Sequence, residues 1–347
     1  LGYSQLTNFI HFGLTSSDID YTALALQLRE CNKNIITPTL ESLITVLGQM
    51  SEENRNTLML ARTHGQPAVP TTAGKELANF VSRLIEHKTV LKNTKFASKV
   101  NGAVGNYNAL YAAYPDVDWP NFSKKFLKKL GLSHVTFTTQ IPPLDSLIAY
   151  LSQVKLTNTV IIGLSTDMWR YLALGYMTLR GSKEHVGSST MPQKINPIGF
   201  ELAESYCSLA NGMIEVMERR LPVNRWQRDL TDKYLVRELG QVMAMSFLSY
   251  TSMAESLQLV TFNKAKLEQE LLAHWESIAE GIQTILRTSD IPMPYEKIKE
   301  LTRGKEVTKE QYQQFIDQLA VGKDIKLKLK KLSPLGYVGW AKSFPQP

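Results

Sequence analysis

Two cysteines, Cys31 and Cys207, are too few for a disulfide framework and have no metal-ligand spacing. The six histidines are scattered, with no H-x-x-x-H or H-E-x-x-H pair, so neither a metal nor another cofactor is expected. A chain this poor in cysteine is expected in a reducing compartment, by default the cytoplasm. No run of about eighteen uninterrupted apolar residues occurs, and no basic start leads into a small-residue cleavage site, so no membrane association is expected. Strand signals are scarce, Ser133 to Thr139 being the best, and no internal repeat or low-complexity segment stands out. Acidic residues are outnumbered: Asp+Glu total 32 against 39 Lys+Arg, a formal net charge of +7 at pH 7. The excess is spread along the chain. Its densest groups, Lys124 to Lys129 and Lys323 to Lys331, suit solvated helix faces, so attraction of an anionic small molecule is expected and nucleic-acid binding is not.

What the sequence has in abundance is long amphipathic helix. Leu144 to Leu179 carries Leu147, Leu151, Val154, Val160, Ile161, Leu164 and Met168 near a 3.6 period without a proline. That predicts a rod on the order of 50 Å long. Similar patterns run from Thr72 to Phe96, Ile198 to Leu221 and Leu235 to Val260. Another, Ile19 to Met50, should be kinked or divided by Pro38. Beyond Val260 the patterns shorten (Asn263 to Arg287, Tyr295 to Leu301, Lys309 to Leu319), with Pro292, Pro294 and Gly304 between them. The expectation is an all-α fold. Residues 14–260 would form a long-helix bundle, 261–347 a smaller helical domain, and 1–13 the remnant of a preceding domain. Leu1 in place of Met, with no folding unit of its own after it, suggests that an N-terminal portion precedes.

Chemistry is then expected at the interruptions between helices. Gly187-Ser188-Ser189-Thr190-Met191-Pro192-Gln193-Lys194-Ile195-Asn196-Pro197 offers a cation, an amide and free backbone N–H groups ahead of a helix, which suits a dianionic carboxylate. A flexible connection fits those residues equally well. Arg62-Thr63-His64-Gly65-Gln66-Pro67-Ala68 reads as a turn whose lone histidine could be structural. Thr15-Ser16-Ser17-Asp18 reads as an N-cap cluster whose amides can also hold an anion. Arg225-Trp226-Gln227-Arg228-Asp229-Leu230-Thr231-Asp232, with Arg237 beyond it, reads as surface charge or as a phosphate grip, for which arginine is suited.

The first of these segments resembles the G-S-S-x-M-P-x-K-x-N-P signature of the fumarase/aspartase superfamily at every fixed position. The T-H-G-Q-P-A and R-W-Q-R-D-L-T-D stretches resemble the bacterial adenylosuccinate lyase branch. Asn101 to Asn108 and Leu301 to Lys305 extend the likeness over nearly the whole chain. The resemblance implies β-elimination of fumarate from adenylosuccinate, giving AMP, and from a succinylated aminoimidazole carboxamide ribotide. By position it implies Ser188 as general base, Lys194 and Asn196 as holders of the substrate carboxylate, His64 as general acid and Glu201 as its partner. It further implies substrate contacts from Thr15, Ser16, Thr63, Gln140, Met191, Arg228, Lys233 and Arg237. It also implies a homotetramer with shared sites, and a missing N-terminal domain that supplies further nucleotide contacts. Two departures stand out: Lys233-Tyr234 where the branch has Ser-Thr, and Leu202 where relatives often have Asn. Another lyase of the superfamily, such as argininosuccinate lyase, and a catalytically silent homologue are the competing readings. The T-H-G-Q-P-A segment argues against the first, and intact Ser188, His64, Lys194 and Asn196 against the second.

Overall fold

The computed structural model describes residues 4–180, 191, 194–288, 296, 298–299 and 307–346. The chain is mostly helical, as the periodicity predicts. In order it forms α1 (Ser16–Cys31), α2 (Thr37–Glu53), β1 (Leu58–Thr63), β2 (Gln66–Thr72), α3 (Ala73–Lys92), β3 (Ala97–Ser98), α4 (Asn108–Ala113) and α5 (Trp119–Lys129). Then follow β4 (Ser133–His134), α6 (Asp145–Ala173), β5 (Met177–Leu179), α7 (Ile198–Arg220), α8 (Thr231–Leu235) and α9 (Leu239–Gln258). The last are β6 (Val260–Phe262), α10 (Lys264–Ala273), α11 (Ala279–Arg287), α12 (Lys309–Gln318) and α13 (Lys323–Lys331). The chain divides into two compact units. One comprises Leu1–Leu43, Arg83–Thr166 and Ile198–Ala254; the other comprises Ile44–Ser82, Asp167–Pro197 and Glu255–Pro347.

Within the first unit, α7 buries Phe200, Ala203, Cys207, Ala210, Ile214 and Met217. Those positions alternate spacings of three and four, a narrow seam of the kind that lets helices run side by side. Asn158 of α6 fastens three helices together. Its Nδ2 donates to Asn211 Oδ1 of α7 at 3.0 Å and to Ser246 Oγ of α9 at 3.1 Å, while Tyr250 OH donates to its Oδ1 at 2.7 Å. A buried polar group with every partner in place fixes one register, because sliding a helix would orphan it. Helix α6 is long and apolar enough to cross a membrane by length and composition, yet half of that stretch is buried inside the protein. With Asn158 and Ser165 both fully buried, it reads as a core helix.

Pro38 divides its pattern as expected: a π-helical stretch, Asn32–Ile36, separates α1 from α2. The wider turn accommodates a residue that has no N–H and crowds the preceding turn. Lys124, Lys125, Lys128 and Lys129 of α5 are exposed while Trp119, Ser123 and Leu127 are buried, a solvated basic face. The strand expected over 133–139 is confined to Ser133–His134, parallel to Ala97–Ser98. Beyond it, Thr138 Oγ1 accepts from Asn101 Nδ2 at 2.7 Å, so side chains take over from the ladder.

In the second unit, β1 and β2 form an antiparallel hairpin that ends in Thr63↔Gln66, with an irregularity between Leu60 and Arg62. The α6 helix stops at Ala173 and does not reach Leu179. Gly175 takes φ +71°, its N–H donates to Leu172 O at 3.0 Å, and Tyr176 N–H reaches Tyr171 O at 2.8 Å. This pair of bonds closes a helix around a left-handed glycine, and β5 then pairs antiparallel with β6. Trp275, Ile278, Ile282, Leu286, Tyr312, Ile316 and Leu329 form a C-terminal core. Most of the helix expected over 295–301 lies outside the described residues.

Candidate active site

Thr15 precedes α1 in extended conformation (φ −110°, ψ 159°) and Ser16 begins the helix. Asp18 anchors this start. Its carboxylate accepts from Thr15 N–H at 2.9 Å, from Asn101 N–H at 3.0 Å and from Gly102 N–H at 3.1 Å. Lys99 Nζ pairs with it at 2.9 Å, both side chains being fully buried, and also donates to Gly102 O at 2.7 Å. The capping cluster and the 101–108 segment, far apart in the sequence, are thus one construction in the first unit. It leaves Ser16 exposed on the surface.

Asp229 organises the loop before α8. It accepts from Thr231 N–H at 2.8 Å and Arg225 N–H at 3.1 Å. Those backbone bonds, with help from Arg220, hold its carboxyl down at about 2. Arg228 donates to Asp232 Oδ1 at 2.5 Å, and burial raises the Asp232 carboxyl above the usual aspartate value. Lys233 Nζ reaches Asp20 Oδ2 on α1 at 3.2 Å, so its charge is engaged across the unit. Gln140 N–H donates to Gln227 O at 3.1 Å, which brings Gln140 to this loop. Arg237 reaches over the Tyr234 ring, 5.6 Å from its centroid. It also lines a cavity of about 730 Å3 shared with Leu24, Leu28, Met243 and Phe247.

Ser188 lies outside the described residues, as does the rest of 181–190 with Pro192 and Gln193. Met191 and Lys194 are exposed and Asn196 is half-buried. Lys194 N–H closes back on Met191 O at 3.1 Å. Glu201 sits in the first turn of α7, where a carboxylate suits the helix dipole whatever else it does. Among the described residues no group of three or more His, Cys, Asp or Glu side chains is placed to hold a metal.

His64 and Gly65 form the two-residue tip of the β1–β2 hairpin in the second unit. Both have positive φ, 53° and 75°. Such turns need left-handed backbone at both positions, which glycine adopts freely and histidine only under constraint. Arg62 Nη1 spans the tip to Gly65 O at 3.1 Å. Thr63 and His64 are both exposed.

Residues 2–212 match the lyase family, and residues 224–338 match the adenylosuccinate lyase C-terminal family. The chain is 43% identical to adenylosuccinate lyase of Haemophilus influenzae over 337 residues, 97% of this chain and 74% of that protein. The chain belongs to the adenylosuccinate lyase family. Adenylosuccinate lyase of Dictyostelium discoideum is likewise 43% identical over 347 residues, 98% of this chain and 74% of that one. In fold it resembles a fumarate lyase from Mesorhizobium sp. BNC1 (TM-score 0.78, 18% identity, 96% of this chain and 76% of that one). It is also similar to a 3-carboxy-cis,cis-muconate lactonizing enzyme from Pseudomonas putida (TM-score 0.74, 20% identity, 98% of this chain and 77% of that one). Asp20, Lys99, Tyr176 and Glu270 lie outside every motif of the sequence. Each acts on a named segment from far away in the chain, and no local pattern signals it.

Proposed function

We propose that this carbon–nitrogen lyase eliminates fumarate from adenylosuccinate, giving AMP, and from the succinylated aminoimidazole carboxamide ribotide by the same step. The observation that carries this reading is the 43% identity to an adenylosuccinate lyase along 97% of the chain. A proton beside a carboxylate is weakly acidic, so its removal needs a base and strong stabilisation of the aci-carboxylate dianion. Ser188 takes that proton, and Lys194 and Asn196 hold the dianion. The carbon–nitrogen bond then breaks as His64, partnered by Glu201, protonates the departing nitrogen. Serine is a poor base at its ordinary pKa, so Ser188 must be desolvated and its pKa lowered by the Lys194 charge. Thr15 and Ser16 grip the succinyl portion, Arg228 and Arg237 the phosphate, and Thr63, Gln140, Met191 and Lys233 make further substrate contacts.

The working form we infer is a cytoplasmic homotetramer whose sites combine segments of different chains. Exposed apolar side chains on the long helices, Leu156, Leu209, Val216 and Leu248, support it. An absorbance assay of the full-length protein on adenylosuccinate, with argininosuccinate as control, tests the activity. Turnover of argininosuccinate alone would overturn the reading, and turnover of neither would favour a silent homologue.

A further inference from the structure

The His64 turn is braced from behind by one side chain. Arg62 directs its guanidinium in three directions within the second unit. Nη1 donates to Gly65 O across the turn at 3.1 Å, Nε to Tyr176 OH at 3.1 Å, and Nη2 to the Glu270 carboxylate of α10. The guanidinium is planar, so fixing three of its N–H groups on separate elements fixes its plane. Each far anchor is itself built in. Tyr176 follows the left-handed Gly175 that ends α6 and is nearly fully buried; burial, with Glu270 adding to the effect, pushes its phenol up to about 12. Glu270 lies on α10, which packs directly on β1. His64 keeps φ 53° at the first position of this two-residue turn, a backbone conformation that a residue with a Cβ holds only under constraint.

We propose that Arg62 is the positioning residue of His64, locking the turn through Gly65 on one side and through Tyr176 and Glu270 on the other. The imidazole is thereby held where a proton can be delivered to the departing nitrogen. The inference rests on His64 acting as the general acid. A group that sets geometry alone affects kcat more than KM, since misplacing an acid by about an ångström costs roughly a hundredfold in rate.

The test is a double-mutant cycle in the full-length enzyme with Arg62→Gln, His64→Ala and the pair, read as kcat and KM on adenylosuccinate alongside thermal melting. Expected are a kcat loss of roughly tenfold to a hundredfold for Arg62→Gln, KM within about threefold of the parent, and no further loss when the substitution is added to His64→Ala. Arg62→Lys, which keeps the charge but not the fork, should stay impaired. If His64→Ala is dead while Arg62→Gln keeps its kcat, or costs as much in the His64→Ala background as alone, the clamp is overturned and the role of His64 stands. Full rescue by Arg62→Lys overturns the geometric account. If His64→Ala stays within about tenfold of the parent, the acid assignment falls and takes the clamp with it. Should Arg62→Gln not fold, Tyr176→Phe and Glu270→Gln enter the same cycle, where full additivity overturns the proposal.

Discussion

Lys233 and Asp20 are separated by 213 residues in sequence and meet as an ion pair at 3.2 Å. An exposed pair of this kind contributes about 0–1 kcal/mol, so its interest lies in charge rather than stability. Lys233→Ser should leave melting nearly unchanged and the enzyme active, with a substrate KM that depends on ionic strength differently from the parent's. The same KM shift with salt in both proteins would put Lys233 outside the phosphate site. Ser188→Ala should abolish turnover and leave substrate binding intact. A rate within tenfold of the parent, a loss of only about 1.4 kcal/mol, would mean that another group is the base. The sequence exposes Lys233 as a departure from its relatives but is silent on Asp20, because a compensating charge on another helix leaves no local mark.

Helix periodicity shows where elements lie but not where they stop. The apolar pattern of α6 runs on to Leu179, while the backbone turns at Gly175 because a left-handed residue ends the hydrogen-bond ladder there. Likewise the start of α1 reads as a cap, but its anchor, Lys99, becomes visible only in three dimensions. Lys99→Met should destabilise the protein by about 3–5 kcal/mol, since it leaves Asp18 buried without its counter-charge. Urea unfolding monitored by circular dichroism measures this, and a loss below about 1 kcal/mol would mean that water or the backbone amides suffice. The loop that carries Arg228 depends on Asp229, whose folded value near 2 lies below the 3.8 of a free carboxyl. A depressed carboxyl stabilises the fold above its unfolded value, and that contribution is lost as pH falls through the folded one. The stability gap between the parent and Asp229→Asn should therefore be fully open above pH 3.8 and close as pH falls toward about 2. A gap that does not change over that window would detach Asp229 from the loop's stability.

For the molecule as a whole, the all-α class and the run of motifs were legible in the sequence because both rest on local spacing. The subunit association proposed above has only indirect support, apolar side chains such as Leu209 and Leu248 exposed on long helices. If each site takes His64 and Ser188 from different chains, equal amounts of full-length His64→Ala and Ser188→Ala refolded together should recover about a quarter of parental activity. A mixture as inactive as its components would rule out shared sites. The seam of α7 also has a chemical consequence. Cys207 lies within it at 0% exposure, and burial pushes its thiol up to about 12. At pH 7 that leaves on the order of one thiolate in 10^5, so an alkylating reagent can label Cys207 only in the moments when α7 lifts from its neighbours. Its labelling rate is therefore a built-in clock for the opening of the helix core, and it should slow when substrate binds.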